Sequence, residues 1–286
     1  MALDDKQVSA AELARREFRK TKQRRSVWVA FLSTIVFALI VWFGLIATPG
    51  WSRVESSFFT WEVAVEAFPR VFDGLLLNLR VLVAASILVL VFGLLLAILR
   101  TLKSPVFFPI RVLSKGYVDL FRGLPLIIVL YLVGFGIPGL RLEFVGRIPA
   151  EVLGTIALTL TYSAYVSEVF RAGIESIHPS QRLAARSLGL SYGQSMRLVV
   201  LPQAVRRVVP PLMNDFVALQ KDVGLISVLG AIDAVRGAQI EVAKFANFTP
   251  YVLAGLLFVL LAIPTIRIAD AVAKRYAERE QNGVTL

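Results

Sequence analysis

The feature that most limits what this chain can become is a set of long stretches without a charged residue. Residues 26–52 form an uncharged run of 27, residues 81–99 one of 19, and residues 123–140 one of 18. Residues 152–167 add a run of 16 and residues 245–266 a run of 22. A helix crosses a bilayer with about 20 mainly apolar residues. In lipid every backbone N–H and C=O must be satisfied internally, which leaves helices and closed barrels. A barrel reads as short segments of alternating polarity, and these runs do not alternate. The expectation is an all-α integral membrane protein that crosses the bilayer several times.

Charge placement sets the expected topology. Six spans are expected, at about residues 27–47, 73–99, 118–138, 150–172, 211–232 and 249–271. Lys and Arg then divide unevenly between the two sides. Residues 1–26, 100–115, 173–209 and 272–286 carry 20 of them, and residues 48–72, 139–149 and 233–248 carry 6. Cationic loops stay cytoplasmic, so both termini are expected there. The net charge of +11 is thus accounted for by topology, not by nucleic acid. The fifth span is the least marked, because Asn214, Asp215, Gln220, Lys221 and Asp222 lie on it. Such groups avoid lipid and face protein or water. Two readings stand: a buried helix over 211–232 with a break at Gly224, or a cytoplasmic helix over 206–222 with the membrane starting at Val223.

Several chemistries are excluded. The chain has no cysteine, so it has neither disulfides nor thiol chemistry, and a single histidine, His178, cannot form a multi-histidine metal site. There is no glycine-rich phosphate loop ending in Gly-Lys-Ser/Thr, no HExxH pair and no nucleophile elbow. The polar lead of 25 residues is not that of a cleavable signal peptide. Its basic stretch, AAELARREFRKTKQRR, is expected to lie as a helix on anionic headgroups.

The stretch RLAARSLGLSYGQSMRLVVLPQAVRR, residues 182–207, is basic and cannot cross a membrane. Pro179 is suited to the first turn of a helix. Leu183, Ala184, Leu188 and Leu190 would form a short apolar face, with Arg182 and Arg186 on the polar side. Gly189 has the place of a C-terminal cap. Ser191 is suited to cap a second helix that Pro202 would interrupt. Two readings are open here too. The small Ala184–Ala185 pair, ringed by arginines, suits docking into a groove of another protein, and the same pattern suits a helix resting on the membrane surface.

The stretch resembles the permease signature of bacterial ATP-binding-cassette importers, the loop that reads E-A-A, three residues, G, about nine residues, I-x-L-P. Here Leu183-Ala184-Ala185 is followed by Gly189 and by Val199-Val200-Leu201-Pro202. Leucine stands where that loop has glutamate. Further motifs resemble the polar amino acid branch of these permeases: YVDLFRGLPLIIVLY at 117–131, SAYVSEVFRAGIESI at 163–177, PQAVRRVVPPLMN at 202–214 and QKDVGLISVLGAID at 220–233. GLLLNL, residues 74–79, has Asn78 where threonine is usual.

The resemblance covers about residues 72–275 and implies a domain plan. Residues 1–26 form a cytoplasmic tail, and 27–71 an added transmembrane helix with its external loop. Residues 72–275 form a five-helix importer core of the type I kind with a cytoplasmic coupling loop at 176–209, and 276–286 form a cytoplasmic tail. It implies a bacterial inner membrane protein that binds no cofactor and is not itself an enzyme. The implied partners are a cytoplasmic ATPase dimer holding ATP and magnesium, a second permease, an external amino-acid-binding protein, the amino acid substrate and membrane lipid. Arg182, Leu183, Ala184, Ala185, Arg186, Leu188, Gly189 and Leu190 are the expected ATPase-coupling residues. A bulky charge at Ala185 is expected to abolish transport.

For a translocation path the candidates are Asn78, Glu168, Asn214, Asp215 and Lys221, since polar groups are costly in lipid. Each has a plainer reading: Glu168 and Arg171, three apart, can pair on one helix face, and Lys221 and Asp222 can anchor at headgroups. A stand-alone carrier or channel would concentrate acidic groups at mid-membrane, and the first three spans hold only Asp73 and Asp119, near their ends. An intramembrane enzyme would need a Ser/His pair or twin aspartates deep in its helices, and the one histidine, His178, is expected in a cytoplasmic turn.

Overall fold

The computed structural model describes residues 10–48, 50–102, 104–142 and 148–282. Among these no strand forms; every regular element is helical. The chain divides into two units, Met1–Ser57 and Phe58–Leu286.

The first unit holds α1, Ala10–Val41, which widens into a π-helical turn at Trp42–Ile46. Residues Arg25–Gly44 are long and apolar enough to cross a bilayer. Ser33 and Thr34 turn their hydroxyls onto the carbonyl of Ala30, at 2.9 and 2.8 Å, so the apolar stretch carries no unpaired hydroxyl there. The short helix α2, Trp51–Phe58, ends at the boundary.

The second unit is a helical bundle around α3, Trp61–Thr101, and α7, Ala150–Glu175. Lipid tails give helices no hydrophobic reason to associate, so close packing and hydrogen bonds hold them. Ala85, Val89, Ala157, Leu158 and Val166 from the two helices are buried together. Tyr117, on a helix between these two in the chain, donates its hydroxyl to the Leu160 carbonyl at 2.8 Å.

At 41 residues α3 is about 60 Å long, twice the hydrocarbon thickness. Residues 48–72 were expected as a loop and are mostly helix instead. Ala67 and Val71 are fully buried against Ala234, Ala238 and Ala254, and that contact stabilises the added turns. The Thr60 N–H donates to the Thr249 hydroxyl at 3.0 Å, and the Asn247 amide donates to the Thr60 hydroxyl at 3.1 Å.

The expected span at 118–138 is not one straight helix. A turn at Pro105–Phe107 leads into α4, Phe108–Gly123; then come α5, Leu126–Tyr131, a π turn at Leu132–Gly136, and α6, Ile137–Gly139. The two halves meet at 108°. Pro125 has no N–H to continue the ladder, and it forces Leu124 into an extended conformation, φ −89° and ψ 134°.

After α7 come α8, Pro179–Ser187, and α9, Tyr192–Ser195. A π turn at Met196–Val200 leads into α10, Leu201–Asp222. Pro202 does not interrupt this helix as expected; it sits in the first turn of α10, just past the π turn. The fifth span is half α-helix and half 3-10 helix, Val223–Leu229. Leu219 and Gln220 are buried in the bundle, so 206–222 is not a detached surface helix. The α-helix gives way to 3-10 geometry at Asp222–Val223, next to Gly224, where a Cβ would lie 3.2 Å from Phe258. The chain turns at Gly230, at φ +88°, before α11, Ala234–Phe245, 52° away. The last helix, α12, is Thr249–Asn282. Four helices are long and apolar enough to cross a bilayer, and counting each bent pair as one span makes six.

Candidate functional site

Three constellations carry polar chemistry. The first is the elbow between α7 and α10. Pro179 occupies the first turn of α8, and His178 Nδ1 accepts the Ser180 N–H at 3.3 Å. At the other end the Gly189 N–H donates to the Arg186 carbonyl at 2.9 Å, and the Leu190 N–H to that of Ala185 at 3.2 Å. This paired closure requires a left-handed residue, and Gly189 supplies it at φ +83°. The next helix opens with a reciprocal cap: the Gln194 N–H donates to Ser191 Oγ at 3.3 Å, and the Ser191 N–H to Gln194 Oε1 at 2.9 Å.

Within the elbow the expected residues part company. Leu183 and Leu188 point outward, 63% and 83% exposed, and Ala184, Arg186 and Gly189 are exposed with them. Leu190 is half-buried, and the Arg182 side chain lies outside the described residues. Ala185, expected on the outer surface, is 4% exposed. Its place is the inner side of α8, where only a small side chain lets α8 close onto the Met196–Val200 turn. Ile177, Val200 and Ala204 form a buried cluster that fastens the elbow to α7 and α10. Arg207 Nη1 adds a hydrogen bond of 2.5 Å to the Ser176 carbonyl.

The second constellation is an ion-pair cluster at the same end of α7. Glu168 takes Arg100 Nη1 at 2.8 Å and pairs with Arg171, which also pairs with Glu175. Arg122 approaches Glu168 at 3.9 Å. The pairing of Glu168 with Arg171 was legible as a spacing of three. Arg100 was not, because it arrives from another helix.

The third lies deeper. Asn78 donates to the Val223 carbonyl at 3.1 Å and to Asp233 Oδ2 at 3.0 Å, and it accepts the Ala234 N–H at 3.0 Å. Asp233, passed over at the sequence level, caps α11 through the Arg236 N–H at 2.9 Å. Ser86, Tyr162 and Asp215 join apolar side chains around a cavity of about 260 Å³. Asp215 Oδ2 and Ser86 Oγ are buried there without a protein hydrogen-bond partner among the described residues. The Tyr162 hydroxyl donates to Asp222 Oδ2 at 2.8 Å.

The five path candidates therefore do not form one cluster. Asn78 is in the buried network, Glu168 in the ion pairs and Asp215 at the cavity, while Asn214 and Lys221 lie on the exposed side of α10. Among the described residues no group of three or more His, Cys, Asp or Glu could hold a metal.

The bundle is built like the membrane part of an importer. It superposes on the crystal structure of an amino acid ABC transporter with histidines at a TM-score of 0.67, with 31% identity, over 74% of this chain and 96% of that one. In sequence it is 36% identical to the glutamate/aspartate import permease protein of Escherichia coli, over 68% of this chain and 92% of that protein. It is 33% identical to the arginine transport system permease protein of Bacillus subtilis, over 75% and 95%. Residues 89–278 match the binding-protein-dependent transport system inner membrane component family, and the chain belongs to that family.

Proposed function

We propose that the chain forms the translocation path of an ATP-driven importer for a polar amino acid. In this reading it works with a second permease, itself or a relative, and with an external protein that delivers the substrate. ATP and magnesium are held by a separate ATPase pair on the cytoplasmic side, where both termini also lie. The relatives named for glutamate, aspartate and arginine support a charged or polar amino acid as substrate.

The observation that carries the reading is the elbow. Leu183, Ala184 and Leu188 present an apolar patch to the outside, with Arg186 beside it. An exposed patch of this kind marks an interaction surface. It stands on a segment locked at both ends and packed against α7 and α10. A push on α8 is thereby delivered to the helices that line the cavity holding Asp215. In this reading Leu183, Ala184, Leu188, Gly189 and Leu190 receive the ATPase, with Arg182 and Arg186 at its rim and Ala185 holding α8 in place from its inner side. Asn214 and Lys221, on the exposed side of α10, face the path, Asp215 lies at the cavity behind them, and Asn78 and Glu168 support the packing.

The test is co-purification of the chain in mild detergent, with mass spectrometry and an ATP hydrolysis assay. A cassette ATPase is expected, with hydrolysis rising when binding protein and amino acid are added. Recovery of the chain with no hydrolase at any detergent strength would overturn this reading in favour of a stand-alone carrier.

A further inference from the structure

The end of the bundle that carries the elbow has a second concentration of cations, on other elements. Arg100 at the end of α3, Arg111 and Lys115 on α4, and Arg171 on α7 line an open cleft of about 460 Å³, with Val112 in its wall. Two carboxylates face these four cations. Glu168 is shared by Arg100 and Arg171, and Glu175 pairs with Arg171. Among the described residues Arg111 and Lys115 have no carboxylate within ion-pair distance. Arg111 spends one donor on the Leu102 carbonyl at 2.6 Å and lies 5.7 Å over the Phe108 ring, which holds its charge at the cleft. Lys115 is exposed. The cleft is therefore net cationic, and its shape rests on packed helices.

Apolar side chains adjoin the cleft. Val112 in the cleft wall is 51% exposed, and Phe108, beneath the Arg111 guanidinium, is 57% exposed. A soluble phosphate needs no such wall. A molecule with an anionic head and hydrocarbon tails needs both, and basic pockets between helices at a membrane face take such headgroups.

We propose that this cleft binds the phosphate of an anionic phospholipid, with acyl chains lying along Phe108 and Val112. The lipid bridges α3, α4 and α7 at the end where the elbow is attached.

The test uses the full-length chain in a neutral detergent, titrated with phosphatidylglycerol or with phosphatidylcholine. The first bound lipid is counted by native mass spectrometry. Phosphatidylglycerol is expected to bind in preference. Lys115→Gln is expected to weaken it about fivefold, the worth of one cation near a membrane surface. Lys274→Gln, an exposed cation on α12, is expected to leave it unchanged. A matched thermal unfolding midpoint shows that each variant is folded. Excess inorganic phosphate is expected to leave the lipid bound. Equal binding of the two lipids, or unchanged affinity in both Lys115→Gln and Lys115→Glu, overturns the proposal. Displacement by inorganic phosphate also overturns it, since the cleft would then be a site for free anions.

Discussion

Asn78 is the residue on which the deep packing of the second unit turns. Its amide and carbonyl meet three partners from the segment that leaves α10 and enters α11, and it is 1% exposed. Asn78→Leu has similar volume but strands Asp233 Oδ2 and the Ala234 N–H. An unsatisfied buried polar group costs about 1–3 kcal/mol, so a lower unfolding midpoint in detergent and faster proteolysis near 230–233 are expected. Four residues earlier, Gly74 leaves no room for a side chain, because a Cβ would lie 2.3 Å from the Asp233 backbone carbon. Gly74→Val should separate α3 from α11 and lower the midpoint further, with overpacking costing about 1–3 kcal/mol. Sequence drew attention to Asn78 as a polar group in an apolar run, but it could not name Asp233, 155 positions away. That pairing exists only because Gly74 lets the two backbones touch.

Among the elements, the elbow was the most legible. Proline at its start, glycine at its turn and serine at its restart are local devices, and each acts within about five residues. The inward turn of Ala185 was not legible, because which side of α8 faces the π turn depends on how α9 folds back. The expected docking surface shifts accordingly toward Leu183 and Leu188. Leu188→Asp is expected to leave the chain inserted and folded while ATPase co-purification and substrate-stimulated hydrolysis fall at least tenfold. Ala185→Asp should instead lower the unfolding midpoint as well. The ion pairs at the end of α7 form a separate element-scale device. Glu168→Gln leaves Arg100, with 11% of its side chain exposed, without its carboxylate. A loss of about 2 kcal/mol is expected, read as a lower unfolding midpoint. If the Arg100–Glu168 contact carries that loss, Arg100→Gln and the double variant will show it as non-additive in a mutant cycle.

At the scale of the whole molecule the absence of cysteine gives a direct test of topology. Glu62→Cys, near the start of α3, is expected to react with a membrane-impermeant maleimide in intact cells. Ser187→Cys on the elbow and Lys115→Cys on α4 should react only after permeabilisation. The opposite pattern would invert the orientation inferred from Lys and Arg. The sequence was enough to establish an all-helical membrane protein, its approximate spans, the elbow and the family motifs. The physical reason is that bilayer thickness, backbone satisfaction, capping and turn chemistry are all written in runs and short spacings. It was not enough to establish the 108° bend at Leu124–Pro125, the helical course of 61–72, the mixed α and 3-10 course of 201–229 or the partners of Asn78 and Glu168. Those depend on which helices approach closely enough to interlock. In a membrane that choice is made by small residues and buried polar contacts between distant segments, and no local stretch contains both halves of such a contact.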